Sequence, residues 1–242
     1  MRPINKGASP YRRISNYSEA LPYLEQRIGV YCSYCEFRID HVPEVEHVSS
    51  KSKGGDVTAW DNLLLACKYC NSRKSKKTSA DDIEEYLWPD TDNTAIAFSY
   101  KNGIPGINME IALQIDPSGR FLAKAKNLFN LVKLGHRPTQ KEKDRRFTRR
   151  NEVYRIARGS LETWESISDK EDVLATNYLQ QTIELAKQVG FFSIWMMVFH
   201  DYPTVLQALL LAFPGTERTY FDEMGHPKLD LPLPSDSLPE DK

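Results

Sequence analysis

The sequence has little cysteine, no long apolar run and almost no net charge. Four cysteines in 242 residues exclude a disulfide-rich scaffold. The longest apolar run, residues 191–199, is too short to cross a membrane, and residues 1–13 lack the apolar core of a secretory signal. We therefore expect a cytoplasmic protein that does not associate with membranes. The net charge of −1 gives no sign of a general polyanion binder.

The small net charge is an average over blocks of opposite sign. Residues 1–77 carry a net charge of +5 and residues 120–158 one of +10, whereas residues 78–119 and 159–242 carry −7 and −9. Such asymmetry is typical of proteins that bind a partner in one orientation. Residues 141–158 predict a helix with a largely polar, basic surface, which suits nucleic acid and an acidic protein partner equally well.

The four cysteines form two C-x2-C pairs, Cys32/Cys35 and Cys67/Cys70, with 31 residues between them. In a reducing compartment such pairs indicate a metal site before they indicate disulfides. Four thiolates match the tetrahedral coordination of structural zinc and leave no position for a reacting water. We predict one structural Zn²⁺ ion. The simplest alternative is a zinc ribbon with no catalytic role.

Residues beside the cysteine pairs extend this pattern. The pair Glu46-His47 is followed by a Gly-containing loop, Asn62 precedes the apolar run LLLA, and Asn71 directly follows the last cysteine. In these features the segment resembles the HNH endonuclease family, the ββα-metal nucleases, in its zinc-stabilised form. The resemblance implies a hairpin that carries Glu46-His47, a helix that brings Asn71 over it, and a zinc ion that joins the two.

These residue types suit phosphodiester hydrolysis. His47 is the candidate general base, because the pKa of imidazole lies near neutrality. Glu46 and Asn71 offer oxygen ligands to a catalytic Mg²⁺ or Mn²⁺ ion, although the family often has the shorter Asp in place of Glu46. Asn62 is expected to orient the loop or the His47 backbone rather than to bind metal.

Asp40-His41 is a second acid–histidine pair and a rival for this role. The pattern VEHV around His47 predicts a strand followed by a polar loop, whereas DHVPE predicts a turn. The pattern therefore favours His47 as the general base.

Basic residues cluster around the predicted site. A single exposed lysine usually serves solubility, but a cluster beside a nuclease site is expected to contact phosphates. The candidates for nucleic-acid binding are Lys51, Lys53, Lys68, Arg73, Lys74, Lys76 and Lys77.

The pattern as a whole predicts an α+β protein. A small zinc-stapled HNH nuclease domain is expected over residues 1–89, a mainly helical domain over 90–226 and a mobile acidic tail over 227–242. Residues 31–48 predict the hairpin with the first cysteine pair, and the runs TAIAFSY and NMEIALQI predict a β-hairpin within 94–115. Helices are predicted over 18–27, 71–77, 79–87, 121–133, 138–168, 171–189 and 191–213, the last with a break at 201–203.

Features outside the HNH segment narrow the resemblance. The start MRPI-x-K and the late W-M-x-x-F followed by F-P-G-T look like the PtuB-type nucleases of Septu and related retron-associated anti-phage systems. This resemblance implies an ABC-type ATPase partner, PtuA-like, that holds the nuclease inactive until infection. The chain itself contains no G-x-x-x-x-G-K-[ST] motif for ATP.

We therefore expect a metal-dependent endonuclease that acts in a defence complex, with DNA favoured as its substrate and tRNA as the alternative. A second hypothesis is a catalytically silent zinc module that binds nucleic acid or a partner. A third is an interaction subunit whose main surface lies in the helical half, where Trp195 and Met196-Met197 belong either to the core or to a partner groove.

Overall fold

A computed structural model describes residues 1–167 and 173–229 of the chain. Its helices are α1 (Leu21–Ile28), α2 (Lys68–Lys74), α3 (Thr94–Ala97), α4 (Met109–Ile115), α5 (Arg120–Leu131), α6 (Arg146–Ile167), α7 (Val173–Val189), α8 (Phe192–Val198) and α9 (Pro203–Ala212). Its strands are β1 (Glu44–His47), β2 (Leu63–Ala66), β3 (Phe98–Ser99) and β4 (Gly106–Ile107). The predicted class, a small ββα unit followed by a mainly helical region, is confirmed. In the described part of the chain, no helix combines the length and the apolar character that a bilayer crossing requires.

The ββα unit consists of β1, β2 and α2. β1 pairs antiparallel with β2, and His47 lies opposite Leu63. Every residue of β2 is buried, which explains its unbroken apolar run LLLA. α2 begins directly after Cys67, whose sulfur accepts a hydrogen bond from the Cys70 amide and caps the helix.

The first cysteine pair lies outside this hairpin, contrary to the prediction of one hairpin over residues 31–48. Residues 31–38 form a separate turn closed by a bridge between Tyr31 and Arg38, and the strand partner of β1 is β2. The apolar run of β2 is buried only if β1 pairs with it, whereas the C-x2-C turn must face the metal site.

The predicted β-hairpin over residues 94–115 is wrong in most of its length. TAIA and MEIALQI form the helices α3 and α4, and only two residue pairs between β3 and β4 are strand-like. Short runs of alternating apolar residues fit both periods. In α4 the apolar side chains of Ile111, Ala112 and Ile115 share one helix face. The packing of α4 against α3 and α5 therefore favours the helix over the predicted strand.

Several predicted helix limits also differ from the structure. The predicted helix over 79–87 is only a 3₁₀ turn, Ile83–Glu85, and the predicted helix over 138–168 begins at Arg146 after a loop. The basic helix begins at Lys68 rather than at Asn71, because Cys67 caps it. The break at 201–203 is confirmed, with Pro203 as the first residue of α9.

The N-terminal and C-terminal parts of the chain share one core, which contains buried apolar residues from Met1 to Phe221. Ile4 pairs with Thr216, and Phe37 pairs with Gly190 on the segment before α8. The predicted domain limit at residue 89 stays a prediction. Of the predicted mobile tail, residues 230–242 lie outside the described residues.

Candidate active site

The four cysteines meet in the interior at the junction of the first turn and α2. All four are buried, and their sulfur atoms lie within 4.8 Å of one another. The Cys35 and Cys67 sulfurs are 3.7 Å apart. A tetrahedral zinc ion with bonds of about 2.3 Å requires sulfur separations of about 3.8 Å. The cluster therefore fits the predicted zinc ion, which would be held by Cys32, Cys35, Cys67 and Cys70 in a structural role.

A buried arginine connects this cluster to the helical region. Arg146, the first residue of α6, donates a hydrogen bond to the Cys70 sulfur over 3.2 Å and contacts both oxygens of Asp144. Burial alone would lower the pKa of Arg146, but the negative charges of Cys70 and Asp144 outweigh it and raise that pKa well above its usual range. Four thiolates around Zn²⁺ would carry an excess of negative charge. Arg146, which belongs to the helical region, partly neutralises that charge.

His47, at the end of β1, is oriented by a backbone carbonyl. Its Nε2 lies 3.0 Å from the Val57 oxygen. A carbonyl only accepts hydrogen bonds, so Nε2 carries the proton and the lone pair resides on Nδ1. The ring is mostly buried and meets Tyr17 edge-on at 4.9 Å. Burial lowers the pKa of His47, and the nearby Lys51 and Lys74 lower it further against the Val57 hydrogen bond. Neutral imidazole, the form that accepts a proton, is favoured.

Glu46 points into the interior. Its Oε1 pairs with Lys74 Nζ at 2.6 Å, and its Oε2 accepts a hydrogen bond from the Tyr34 hydroxyl at 2.5 Å. Burial raises the pKa of Glu46, and its contacts with Lys74 and Tyr34 oppose that rise. Lys74 also donates to the His47 carbonyl over 2.5 Å. Because its oxygens are held by buried partners and the side chain is almost fully removed from solvent, the Glu46 carboxylate in this arrangement does not fit the predicted role of a Mg²⁺ or Mn²⁺ ligand.

Asn71 lies at the rim of the site, beside the carboxylate of Glu44, which is not among the predicted site residues. Asn71 Nδ2 donates to Glu44 Oε2 over 2.7 Å, and Glu44 also pairs with Lys68 at 3.2 Å. The Asn71 side-chain oxygen and Glu44 are the hard donors of this rim. The sequence contains a pattern that indicates Glu44: in the run EVE, Glu44 and Glu46 lie two residues apart, and such residues share one face of a strand.

Asn62 closes the loop between the two strands of the hairpin. Its side-chain oxygen accepts from the Ser49 amide at 2.7 Å, and its Nδ2 donates to the carbonyls of Ser49 and Asp56 at 3.0 and 2.6 Å. Gly55 lies so close that an added Cβ would stand 2.1 Å from the Ser49 oxygen. Asn62 thus holds the loop that carries the Val57 carbonyl to His47, as its predicted orienting role requires.

His47 and Asn71 line an open cleft of about 500 Å³. Its wall is formed by Tyr17, Val45, Glu46, His47, Ser50, Lys51, Ser52, Asn71, Ser75 and Lys76. A second depression adjoins it along α2, lined by Tyr17, Glu44, Val45, Lys68, Asn71, Ser72 and Ser75. The cleft therefore brings His47 and Asn71 together within reach of one ligand.

The predicted phosphate-binding residues divide into three groups. Lys51, Lys53, Lys68, Lys76 and Lys77 are exposed, and of these Lys51 and Lys76 line the cleft. Arg73 is partly covered and pairs with Glu142 at 3.4 Å. The prediction for Lys74 is wrong: it is fully buried, because it compensates the buried Glu46, so it cannot reach a phosphate.

The rival pair Asp40-His41 is exposed before β1 and lines no part of the cleft, and Asp40 pairs with Arg38. In the helical half, Trp195 is fully buried and belongs to the core, which contradicts its alternative role in a partner groove. Met196 and Met197 border an apolar groove of about 570 Å³.

Comparison with known families assigns the segment that builds this site. Residues 32–77 match the family model described as HNH endonuclease. The match includes all four cysteines, Glu46, His47, Asn62 and Asn71. Over these residues the chain is therefore similar to HNH endonuclease domains. Searches of the curated proteins and of the solved structures gave no match.

Proposed function

We propose that this protein is an HNH endonuclease that hydrolyses phosphodiester bonds of nucleic acid, with His47 as general base. The observation that carries the proposal is the hydrogen bond from His47 Nε2 to the Val57 carbonyl, inside the matched segment and at the wall of an open cleft. This bond leaves Nδ1 free to take a proton from an attacking water. The low pKa of the ring keeps that nitrogen unprotonated near neutral pH.

A divalent cation, Mg²⁺ or Mn²⁺, is part of the proposal. When bound, it would supply positive charge for the phosphate and the leaving oxygen. Glu44 and Asn71 at the rim offer the oxygens that would hold it: Glu44 pairs with the exposed Lys68, which can move away, whereas Glu46 is buried between Lys74 and Tyr34. The other tasks are performed by the chain: Val57 orients His47, and Lys51 and Lys76 provide positive charge beside the phosphate.

Replacement of the proposed base tests the assignment. We expect His47→Ala to reduce Mg²⁺-dependent nicking of plasmid DNA by roughly 10²- to 10⁴-fold, the usual contribution of a general base. The zinc content of the variant should match the parent, since the metal would be held by the four cysteines. His41→Ala is the matched control and should cleave at the parental rate. Equal cleavage by His47→Ala and the parent would refute the assignment.

A binding-only zinc module is the second candidate, because both oxygens of Glu46 are engaged within the fold. It predicts nucleic-acid binding without cleavage of plasmid DNA or tRNA, with Mg²⁺ or Mn²⁺ and in the presence of the partner. Cleavage that depends on His47 excludes it.

We further propose that the nuclease acts in the cytoplasm as the effector of an anti-phage complex with an ABC-type ATPase, and on DNA rather than RNA. This proposal is supported by the resemblance of the chain's start and of residues 195–216 to the PtuB-type nucleases. Co-purification with an ATPase encoded beside it, followed by cleavage assays on plasmid DNA and tRNA with and without ATP, tests each part. Absence of a stable complex would remove the partner from the proposal and leave the nuclease assignment standing.

A further inference from the structure

Between α5 and α6 lies a loop with a net positive charge that belongs to neither predicted site. We call residues 137–145 the basic loop; it contains four cations, Arg137, Lys141, Lys143 and Arg145, and two acids, Glu142 and Asp144. The family match ends at residue 77, so the HNH segment does not include this loop.

The basic loop is attached to α2, the helix that carries Asn71. The Tyr69 hydroxyl donates to the Lys143 carbonyl, and Arg73 pairs with Glu142. Just after the loop, Arg146 donates to the Cys70 sulfur. Three contacts at three positions of α2 hold the loop at a constant place beside the helix.

The geometry of α2 places the loop next to the cleft. Successive residues of an α-helix are rotated by about 100°. Lys68, Asn71 and Ser72 therefore share the face that lines the depression beside the cleft, and Tyr69 and Arg73 occupy the adjoining flank, on which the basic loop rests. The buried residues Cys70 and Lys74 take the opposite side.

These contacts provide partners for the two acids of the loop and leave three of its cations exposed. Both acids have cationic or histidine partners: Glu142 is bound by His136 and Arg73, and the buried Asp144 by Arg146. By contrast, Lys141, Lys143 and Arg145 are exposed and form no ion pair within residues 1–167 and 173–229. The surface beside the cleft thus presents three uncompensated positive charges.

We propose that the basic loop binds the phosphate backbone of the substrate on the side of α2 away from Lys51 and Lys76. This inference rests on the proposed nuclease function and adds a surface from outside the HNH segment. A helix with its side chains is about 10 Å wide, and duplex phosphates advance by about 3.4 Å per step along each strand. A duplex with one phosphate in the cleft therefore places phosphates about three steps away over the loop.

The position of the loop favours nucleic acid over an acidic protein partner. The loop that carries its three exposed cations contacts the flank of α2 next to the face that lines this depression, so a polyanion that extends from His47 along α2 would meet them. Together with Lys51 and Lys76 they form two cationic borders with the cleft between them. Such contacts carry no sequence information and are expected to strengthen binding to any sequence alike.

The test compares two triple variants in the full chain with His47→Ala, so that the substrate stays intact. The first is Lys141→Gln/Lys143→Gln/Arg145→Gln. The control, Lys101→Gln/Lys126→Gln/Arg218→Gln, removes the same charge from exposed positions that line neither the cleft nor its adjoining depression. Binding to a fluorescent DNA duplex and to tRNA is measured by anisotropy over a range of salt concentrations.

We expect the basic-loop variant to bind roughly tenfold or more weakly at low salt, and its plot of log affinity against log salt to be shallower by roughly 2 to 3, about 0.9 per lost phosphate contact. The control should keep the parental slope. A loss on DNA alone or on tRNA alone identifies the nucleic acid that the loop reaches. Equal slopes for both triple variants, or loss of a protein partner with unchanged nucleic-acid binding, would overturn the proposal.

Failure of this proposal is distinguishable from failure of the nuclease assignment. The anisotropy measurement requires no cleavage, so it decides on the loop even if the parent chain proves inactive. Conversely, a parent that cleaves plasmid while the basic-loop variant binds as the control does would retain the nuclease and reject the loop. Zinc content and melting temperature of each variant verify that it is folded.

Discussion

At the residue scale, the chemistry of the cleft depends on which nitrogen of His47 is free. The Val57 carbonyl binds Nε2, and the edge of Tyr17 packs against the ring, so the orientation of His47 is determined before any substrate arrives. Lys51 and Lys74 both disfavour a positive charge on the ring. The neutral ring that results is the form that the proposed role of general base requires.

The pH dependence of cleavage should report this environment. Because the pKa of His47 is lowered, the ring is still neutral at pH values where a free imidazole, with a pKa of 6.5, is half protonated. We expect kcat/KM to fall on the acid side with a midpoint below 6.5, the activity being lost as pH falls through the lowered pKa. Plasmid nicking at constant metal concentration across the acidic range measures it. A midpoint at or above 6.5 would contradict the role of burial.

The buried ion pair between Lys74 and Glu46 also supports the position of His47. Lys74 binds the Glu46 carboxylate and the His47 carbonyl at once, with both side chains almost fully removed from solvent. Such a pair is costly to break, since one buried charge would remain uncompensated. This explains why a lysine that the sequence places in a basic cluster serves the interior.

At the element scale, the loop between β1 and β2 determines where the Val57 carbonyl lies. Asn62 holds the loop through three hydrogen bonds to Ser49 and Asp56, and Gly55 permits the backbone to approach the Ser49 oxygen. The position of His47 Nδ1 therefore depends on a loop that touches no substrate in our proposal.

Substitution of Gly55 should separate this positioning from the zinc site. An added Cβ would stand 2.1 Å from the Ser49 oxygen, so Gly55→Ala must displace the loop and with it the Val57 carbonyl. We expect cleavage to fall by roughly tenfold or more, since a loss of about 1.4 kcal/mol of positioning energy suffices for that factor, while bound zinc stays at one ion per chain. Cleavage kinetics and metal analysis measure the two effects.

Gly159→Ala, in α6, is the matched control for this substitution. No atom lies within 4 Å of a Cβ at Gly159, so this variant should cleave normally and unfold at the parental temperature or above it. Full activity of Gly55→Ala would show that the loop does not orient His47.

At the scale of the whole molecule, the four-cysteine cluster is connected to the helical region on two sides. Arg146 of α6 contacts Cys70, and Glu36, in the first cysteine turn, accepts hydrogen bonds from the amide and hydroxyl of Ser193 in α8 at 2.9 and 2.6 Å. The four-cysteine site therefore lies between the ββα unit and the helices.

Removal of zinc should thus loosen more than the ββα unit. With a chelator present, we expect a lower melting temperature and faster amide hydrogen exchange at the starts of α6 and α8. The metal would fix Cys70, the partner of Arg146, and the cysteine turn that carries Glu36, the partner of Ser193. Circular dichroism and hydrogen exchange measured by mass spectrometry report the two effects. Faster exchange confined to residues 32–38 and 67–74 would show that the metal does not stabilise the helical region.

The structure also shows where the two basic blocks of the chain lie. The net charge of −1 contains two basic blocks, residues 1–77 and 120–158. In the structure, parts of both blocks meet at α2, where the basic loop lies beside the HNH segment. The remaining cations of these blocks include buried ones, Lys74, Arg146 and Arg150, which bind protein groups instead of solvent.

The sequence by itself determined the residues with a short-range signature. The spacing of the cysteines specified a four-sulfur cluster, and the order of acid, histidine and asparagines specified the HNH segment that the family model also matches. These features depend on ligand number and on neighbouring positions along the chain. For that reason they could be predicted without knowledge of the packing.

Only the tertiary structure decided which of these side chains face the cleft. It turned Lys74 and Glu46 into a buried pair, brought Glu44 to the rim beside Asn71 and placed the basic loop against α2. It also made helices of two runs that alternate like strands. The physical reason is common to all of these: burial, charge compensation and helix packing depend on residues far apart in the chain, and no local pattern contains that information.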